Sequence, residues 1–293
     1  MYFLLLCILS STGIFFTFKL IDRLGIPSYP VIVINYLTAS LLAGFLVADH
    51  KLILDVLQAD WLILSIFIGV FFILMFFVIA LSTSRAGISV TTVASKMSVV
   101  LPITFSIIID PLDRLTPVKG AGILLALAGV FLTVWKPREV RGSVNSILIP
   151  LLLFLGMGAV DSLVKYSQQN FVPDENSALF TSVLFGISFL TGVILYLPVR
   201  KSFRELRNPR VWLWGIILGL VNFGSIYFIL RALNFRFGSG MGIDSSIVFG
   251  INNIGIVTLS VILGSLIFRE KLYRINMAGI FLSAAAFVLF MLS

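Results

Sequence analysis

Residues 113–132 read DRLTPVKGAGILLALAGVFL, and residues 270–289 read EKLYRINMAGIFLSAAAFVL. At an offset of 157 they share seven of 20 identities, among them Ala121/Ala278, Gly122/Gly279 and Ile123/Ile280. Each opens on an acid–base pair, Asp113-Arg114 and Glu270-Lys271. Working outward, LLLCILSSTGIFFTFK (4–19) aligns with PLLLFLGMGAVDSLVK (150–165) at an offset of 146, which matches Lys19 to Lys165 and, just beyond, Pro27 to Pro173. Ala80-Leu81 meets Ala232-Leu233 between them, at 152. The offset rises in order, as small insertions would produce, so the chain reads as two repeats, 1–138 and 139–293.

Composition names the solvent these repeats are built for. Of 293 residues, 59% are apolar and 12% charged, against about a quarter charged in a soluble domain. So few charges cannot cover a globule of this size. Ten apolar runs stand out, roughly 2–21, 30–48, 61–82, 87–109, 117–135, 147–168, 176–198, 211–233, 243–268 and 273–292. Each is about the 20 residues that a helix needs to cross a bilayer. The runs are continuous and not alternating, which selects helices over barrel strands. The reading is an all-α integral membrane protein of ten transmembrane helices, forming one membrane domain with no soluble domain. Five is odd, so the two five-helix repeats are inverted. The first run lacks a basic leader and a small-x-small cleavage site and carries Lys19, unlike a signal peptide.

One cysteine and one histidine exclude an internal disulfide and a Cys/His zinc cluster. No HExxH or GxSxG string is present, which argues against a membrane-embedded enzyme; no cofactor or metal is called for, and no ATP-binding module is visible. The net charge of +8 reads as loop charge rather than as a nucleic-acid surface. Thirteen basic residues fall in loops after odd-numbered spans: Arg23; Arg85; Lys136, Arg138, Arg141; Arg200, Lys201, Arg204, Arg207, Arg210; and Arg269, Lys271, Arg274. Four fall opposite: Lys51, Arg114, Lys119 and Arg236. The positive-inside rule then places both termini outside the cytoplasm. Trp61, Trp135, Trp212 and Trp214 lie at span ends and read as interfacial anchors.

An ionisable residue inside a bilayer is costly and marks a site by default. Lys96 lies near the middle of span 4, on a stripe of Ser89 and Thr92 with Ser95 beside it, too deep to snorkel. It is either a substrate or coupling group or the structural partner of a carboxylate. Its repeat counterpart is Asn253, and Asn252-Asn253 in span 9 either glue helices or line a cavity. Asp161 and Lys165 share a face of span 6, as a local ion pair or as part of a site. Lys19 and Lys165 stand a turn from span ends, where snorkelling accounts for each singly; their repeat relation adds a functional reading. Asn35 and Asn222 are further cavity candidates. Basic residues outnumber acidic ones within the spans, which favours an anionic or zwitterionic small molecule over a lipophilic cation.

The 5+5 spans, the lysine late in spans 1 and 6, and the acidic residue ahead of an Ala-Gly-Ile patch in spans 5 and 10 together resemble the drug/metabolite transporter superfamily, EamA type. The resemblance covers essentially the whole chain. It implies a multi-pass protein of the cell (bacterial inner) membrane, a secondary transporter and usually an exporter. Its substrate would be a small polar metabolite, such as an amino acid or carboxylate, held centrally between the halves, with possible proton or other ion coupling. The same fold would serve a lipid flippase or a multidrug exporter. Two departures stand out: Asn35 replaces an arginine common in the second span, and the charge count opposes the family's cytoplasmic termini.

The charge count makes a direct prediction. In a Cys7→Ser background, a cysteine at Ser293 should react with an impermeant thiol reagent on intact cells, and one within 200–210 should not. The reverse pattern restores the family orientation.

Overall fold

The computed structural model describes residues 2–47, 56, 59–109, 116–135, 145–172, 177–196, 202–233 and 245–292. Among them the regular structure is helical, without strands. The helices are α1 (Tyr2–Arg23), α2 (Ser28–Gly44), α3 (Leu62–Ala86), α4 (Ile88–Met97), α5 (Val100–Ile109), α6 (Pro117–Val134), α7 (Asn145–Asn170), α8 (Ser177–Tyr196), α9 (Ser202–Leu206), α10 (Pro209–Leu233), α11 (Ser245–Leu266) and α12 (Arg274–Met291). Among the described residues six stretches are long and apolar enough to cross a membrane: α1, α3, Ile88–Phe105 across α4 and α5, most of α8 and α10, and all of α12. Shorter apolar stretches lie in α2, α6, α7 and α11. Leu5, Ile63, Phe67, Leu124, Leu190, Leu213 and Phe281 all face outward, an apolar belt that water would penalise and lipid does not.

Among the described residues each apolar run carries helix, but run 87–109 is not one rod. It breaks after Met97, and Val100 starts a new helix. Pro102 is the cause. Its ring has no N–H to give the Ser98 carbonyl, and it crowds that same carbonyl one turn back. The Ser98 carbonyl accepts from the Leu101 N–H instead (2.9 Å), and the Ser98 hydroxyl donates to the Ser95 carbonyl.

Helix ends gather on two faces. On one, the Ser84 hydroxyl donates to Asp22 (2.7 Å), joining the ends of α3 and α1. Arg23 donates to the Phe268 carbonyl at 2.6 Å and lies 4.7 Å over its ring, joining α1 to the end of α11. Tyr29 at the start of α2 stacks on Tyr196 at the end of α8, whose hydroxyl reaches Glu205 of α9. Arg23, Arg85, Arg204, Arg207, Arg210, Arg269, Lys271 and Arg274 therefore share this end of the bundle, here called the basic face. On the other, Val47, Trp61, Val172 and Phe180 cluster where α2, α3, α7 and α8 turn over. Trp61, expected as an interfacial anchor, is instead buried edge-on against Phe180.

The closest helix pair is α6 with α12. Gly129 and Gly279 sit where the backbones cross: a Cβ on Gly279 would lie 2.5 Å from the Thr133 nitrogen. Asn276 binds the pair at its end. Its amide donates to the carbonyls of Leu132 (3.2 Å), Thr133 (2.9 Å) and Trp135 (2.7 Å), and its oxygen accepts from the Tyr273 N–H (3.0 Å). One side chain thus satisfies orphan carbonyls that end α6 and an orphan amide that begins α12.

Gly279→Ala should destabilise by about 2 kcal/mol, because a backbone atom blocks the added methyl. Gly120→Ala, with nothing within 4 Å of its new methyl, should be neutral or gain up to about 1 kcal/mol of helix propensity. Thermal unfolding in detergent compares them.

Candidate functional site

Midway along the bundle a string of polar groups crosses it from α2 to α7. Asn35 is fully buried on α2. With its amide nitrogen turned to the Leu218 carbonyl (3.2 Å), it meets the Asn222 amide of α10 at 3.2 Å. The Ser225 hydroxyl donates back to the Asn222 carbonyl (2.7 Å), and the Cys7 thiol of α1 donates to the Ser225 carbonyl (3.2 Å). The Cys7 neighbourhood includes the Lys96 charge, and across α4 and α7 Lys96 and Asp161 interact as opposite charges. Ser98, at the α4–α5 break, is near enough to Asp161 to act on its carboxylate.

The structure thus brings Lys96, Asp161, Asn35 and Asn222 onto one string. Asn252 and Asn253 stand apart on α11, which packs against α1 and α4. Gly264 of α11 lies against Ser89 of α4, and the two run in opposite directions. At 1.5 Å per residue, position 253 falls about level with the α4–α5 break. Both asparagines are buried, and among the described residues the Asn252 Oδ1 has no hydrogen-bond partner. Of the hydroxyls read as a wet stripe, Thr92 donates to the Ile88 carbonyl of its own helix (2.9 Å) and Ser89 to Glu270 (3.1 Å). Ser95 is buried, and its carbonyl receives Ser98. The stripe faces protein rather than water. Asp161 feels the Lys96 charge; the side chain of Lys165, its expected neighbour, lies outside the described residues, as do Asp113 and Arg114.

Lys19 belongs elsewhere. Its ammonium donates to the Thr83 carbonyl (3.0 Å) and lies 3.9 Å from Glu270, at the basic face. A cavity of about 280 Å³ opens there, lined by Lys19, Arg85, Gly87, Glu270, Lys271 and Tyr273 among others. The lysine does not snorkel freely; it is tied to α3 and to the α11–α12 connection.

Three groups of the site are not visible as such in the sequence. Cys7 signals there only that no disulfide can form, and Ser98 carries no mark without the break that Pro102 imposes. Glu270 stands out as a repeat mark, but its target on α4 does not.

No family model matches the chain. An uncharacterized protein of Haemophilus influenzae is 27% identical over 292 residues, covering 98% of this chain and 96% of its own. A solved crystal structure is 17% identical, covers 98% of this chain and 94% of its own, and superposes with a TM-score of 0.57. That likeness is one of fold.

Lys96 and Asp161 should be energetically coupled. Each single change, Lys96→Gln or Asp161→Asn, leaves the other charge unopposed in the bundle. The double change should be milder than the sum by about 1 kcal/mol or more. Thermal unfolding of the four proteins closes this cycle; additivity would show that the two charges do not meet.

Proposed function

We propose that the chain is a secondary transporter of a small polar metabolite, anionic or zwitterionic, working by alternating access between two inverted halves of the EamA-type drug/metabolite transporter kind. The observation that carries this reading is the Lys96–Asp161 pair on facing helices, inside a bundle whose outer surface is apolar. A charge so placed costs several kcal/mol unless it is used or matched. Packing alone would be served as well by apolar side chains. Together with the buried amides of Asn35 and Asn222, the pair offers a cation and an anion of its own to a molecule carrying the complementary groups. Lys96 would receive a carboxylate or other anionic group, and Asp161 an ammonium where the substrate has one.

Packing supports the inverted halves. Number the apolar runs one to ten and exchange each with the run five places on. The pairs α6–α12, α2–α8 and α4–α11 then map onto themselves, α1–α10 maps onto α7–α3, α1–α11 onto α7–α4, and α2–α10 onto α8–α3. This is the pattern that a pseudo-two-fold axis through the bundle would generate, with a site near it. The ends gathered at the basic face agree with ten crossings of alternating direction. All ten runs would then be transmembrane, the shorter ones by tilt and flanking residues.

Purified protein should be stabilised against heat by its substrate when screened against amino acids and small carboxylates. At a hundred times Kd the gain is about 2.7 kcal/mol. Lys96→Gln keeps polarity and length but removes the charge. It should fold and lose the ligand-induced rise, and transport with it, whereas Lys19→Gln should keep most of both. Normal transport by Lys96→Gln would refute the assignment. Movement of phospholipid across reconstituted vesicles, with no metabolite response, would make the protein a flippase instead.

A further inference from the structure

In the basic-face cavity, every hydrogen bond of one carboxylate goes to a helix it does not belong to. Glu270, in the connection from α11 to α12, accepts from the Ile88 N–H (2.6 Å), the Ser89 N–H (3.2 Å) and the Ser89 hydroxyl (3.1 Å). These are the first amides of α4, which has no side-chain cap of its own. A carboxylate there meets both orphan amides and the positive end of the helix dipole. The seat is cut to fit. Gly87, at φ +96°, and Gly264 both face the carboxylate, and a Cβ on either would lie within 2.6–2.7 Å of it. No side chain fits at either position without moving Glu270.

The connection is tensioned to deliver it. Arg269 has φ 53°, a left-handed conformation that only glycine adopts freely. Such a residue persists where its surroundings over-determine it. Here the Phe268 and Glu270 N–H groups bond back to Leu263 and Gly264 of α11, and Arg23 holds Phe268 by carbonyl and ring. The object being held is short. α4 has ten residues, about 15 Å of helix, and its far end is the break beside Ser98. A rod gripped at its N-terminus and jointed at its C-terminus is a lever, and this one carries Lys96 one residue before the joint region. A second partner for the carboxylate waits beside the seat: Lys19, at 3.9 Å, already anchored to α3.

Resting on the transporter reading for its purpose, we propose that Glu270 is the latch of the basic-face gate. It seats α4 over the polar string, and its transfer from the α4 amides to Lys19 frees α4 to swing and opens Lys96 and Cys7 to the basic side. Glu270 is a positioning residue: it acts through α4 and not on the substrate.

Cys7, the one cysteine of the sequence, is a built-in reporter, 1% exposed beside Lys96. The full chain is reconstituted in oriented vesicles, and Cys7 is titrated with a small impermeant methanethiosulfonate applied to either side. The basic side is identified in a separate sample by an Arg204→Cys, Cys7→Ser protein. Glu270→Gln should speed Cys7 labelling tenfold or more from the basic side, with no change from the opposite side. Ser89→Ala, which removes one bond and disturbs folding little, should speed it by a smaller factor on that same side. Asn276→Ala loosens the same face without touching α4 and should leave labelling slow. The latch is overturned if neither Glu270→Gln nor Ser89→Ala accelerates labelling, if acceleration is equal from both sides, or if Asn276→Ala matches Glu270→Gln. The assay uses no substrate. An unresponsive Cys7 therefore refutes the latch and leaves the transporter reading standing, while a failed ligand screen leaves the latch untouched.

Discussion

Hydrocarbon offers no hydrogen bonds, so a polar group that this chain carries inward is costly unless another part of the chain meets it. The architecture follows from how that requirement is met. Hydroxyls on single helices return to their own backbones: Ser65 to Trp61, Thr83 to Ile79, Thr91 to Gly87 and Thr92 to Ile88. Other groups reach across. Ser188 of α8 donates to Gly69 of α3 as well as to its own helix, and Asn276 closes α6 and α12 together. Lys96 of α4 and Asp161 of α7 act on each other as opposite charges across packed helices. Polar bridges of this kind tie particular helices together in the interior.

Apolar contact decides how near they come. Side chains gain little by leaving lipid for one another, so helices associate through close packing at small residues. Gly69 admits Ile187 from α8, Gly215 and Gly219 admit Ile34 and Thr38 from α2, and Gly156 admits Met75 from α3. Large side chains serve both faces: Phe18, Tyr36 and Phe185 fill the interior, while Phe67, Leu124 and Phe281 face outward.

Much of this arrangement is legible in the amino-acid sequence. Continuous runs without alternation mark helices, and the Ala-Gly-Ile patches mark the two that pack most closely, α6 and α12. Lys96 is visible as a charge too deep to escape. What is not legible depends on contacts between residues far apart in the chain. Helix periodicity, the only geometry a single sequence displays, can offer Asp161 only a partner of its own helix such as Lys165; the Lys96 charge that also acts on it lies 65 positions earlier. The recurrence of Lys19 as Lys165 groups it with the central site, yet Thr83 and Glu270 hold it at the basic face. Pro102 is plain in the sequence, but a proline inside an apolar run kinks some helices and ends others. Which occurs depends on the neighbour that receives the freed groups.

The pairing of α6 with α12 also bears on how the protein is made. The ribosome adds residues at about 5–20 per second, so of order ten seconds separate the completion of α6 from the emergence of α12. Through that interval the glycine face around Gly129 lacks its α12 partner, and the carbonyls of Leu132, Thr133 and Trp135 lack the Asn276 amide that will donate to them. The first repeat is inserted early yet stays structurally unfinished until the final helix arrives, so the bundle closes from its last segment. A chain truncated before Arg274 would leave its fifth apolar run open to any other glycine-faced helix in the membrane, including the same run of a second nascent copy.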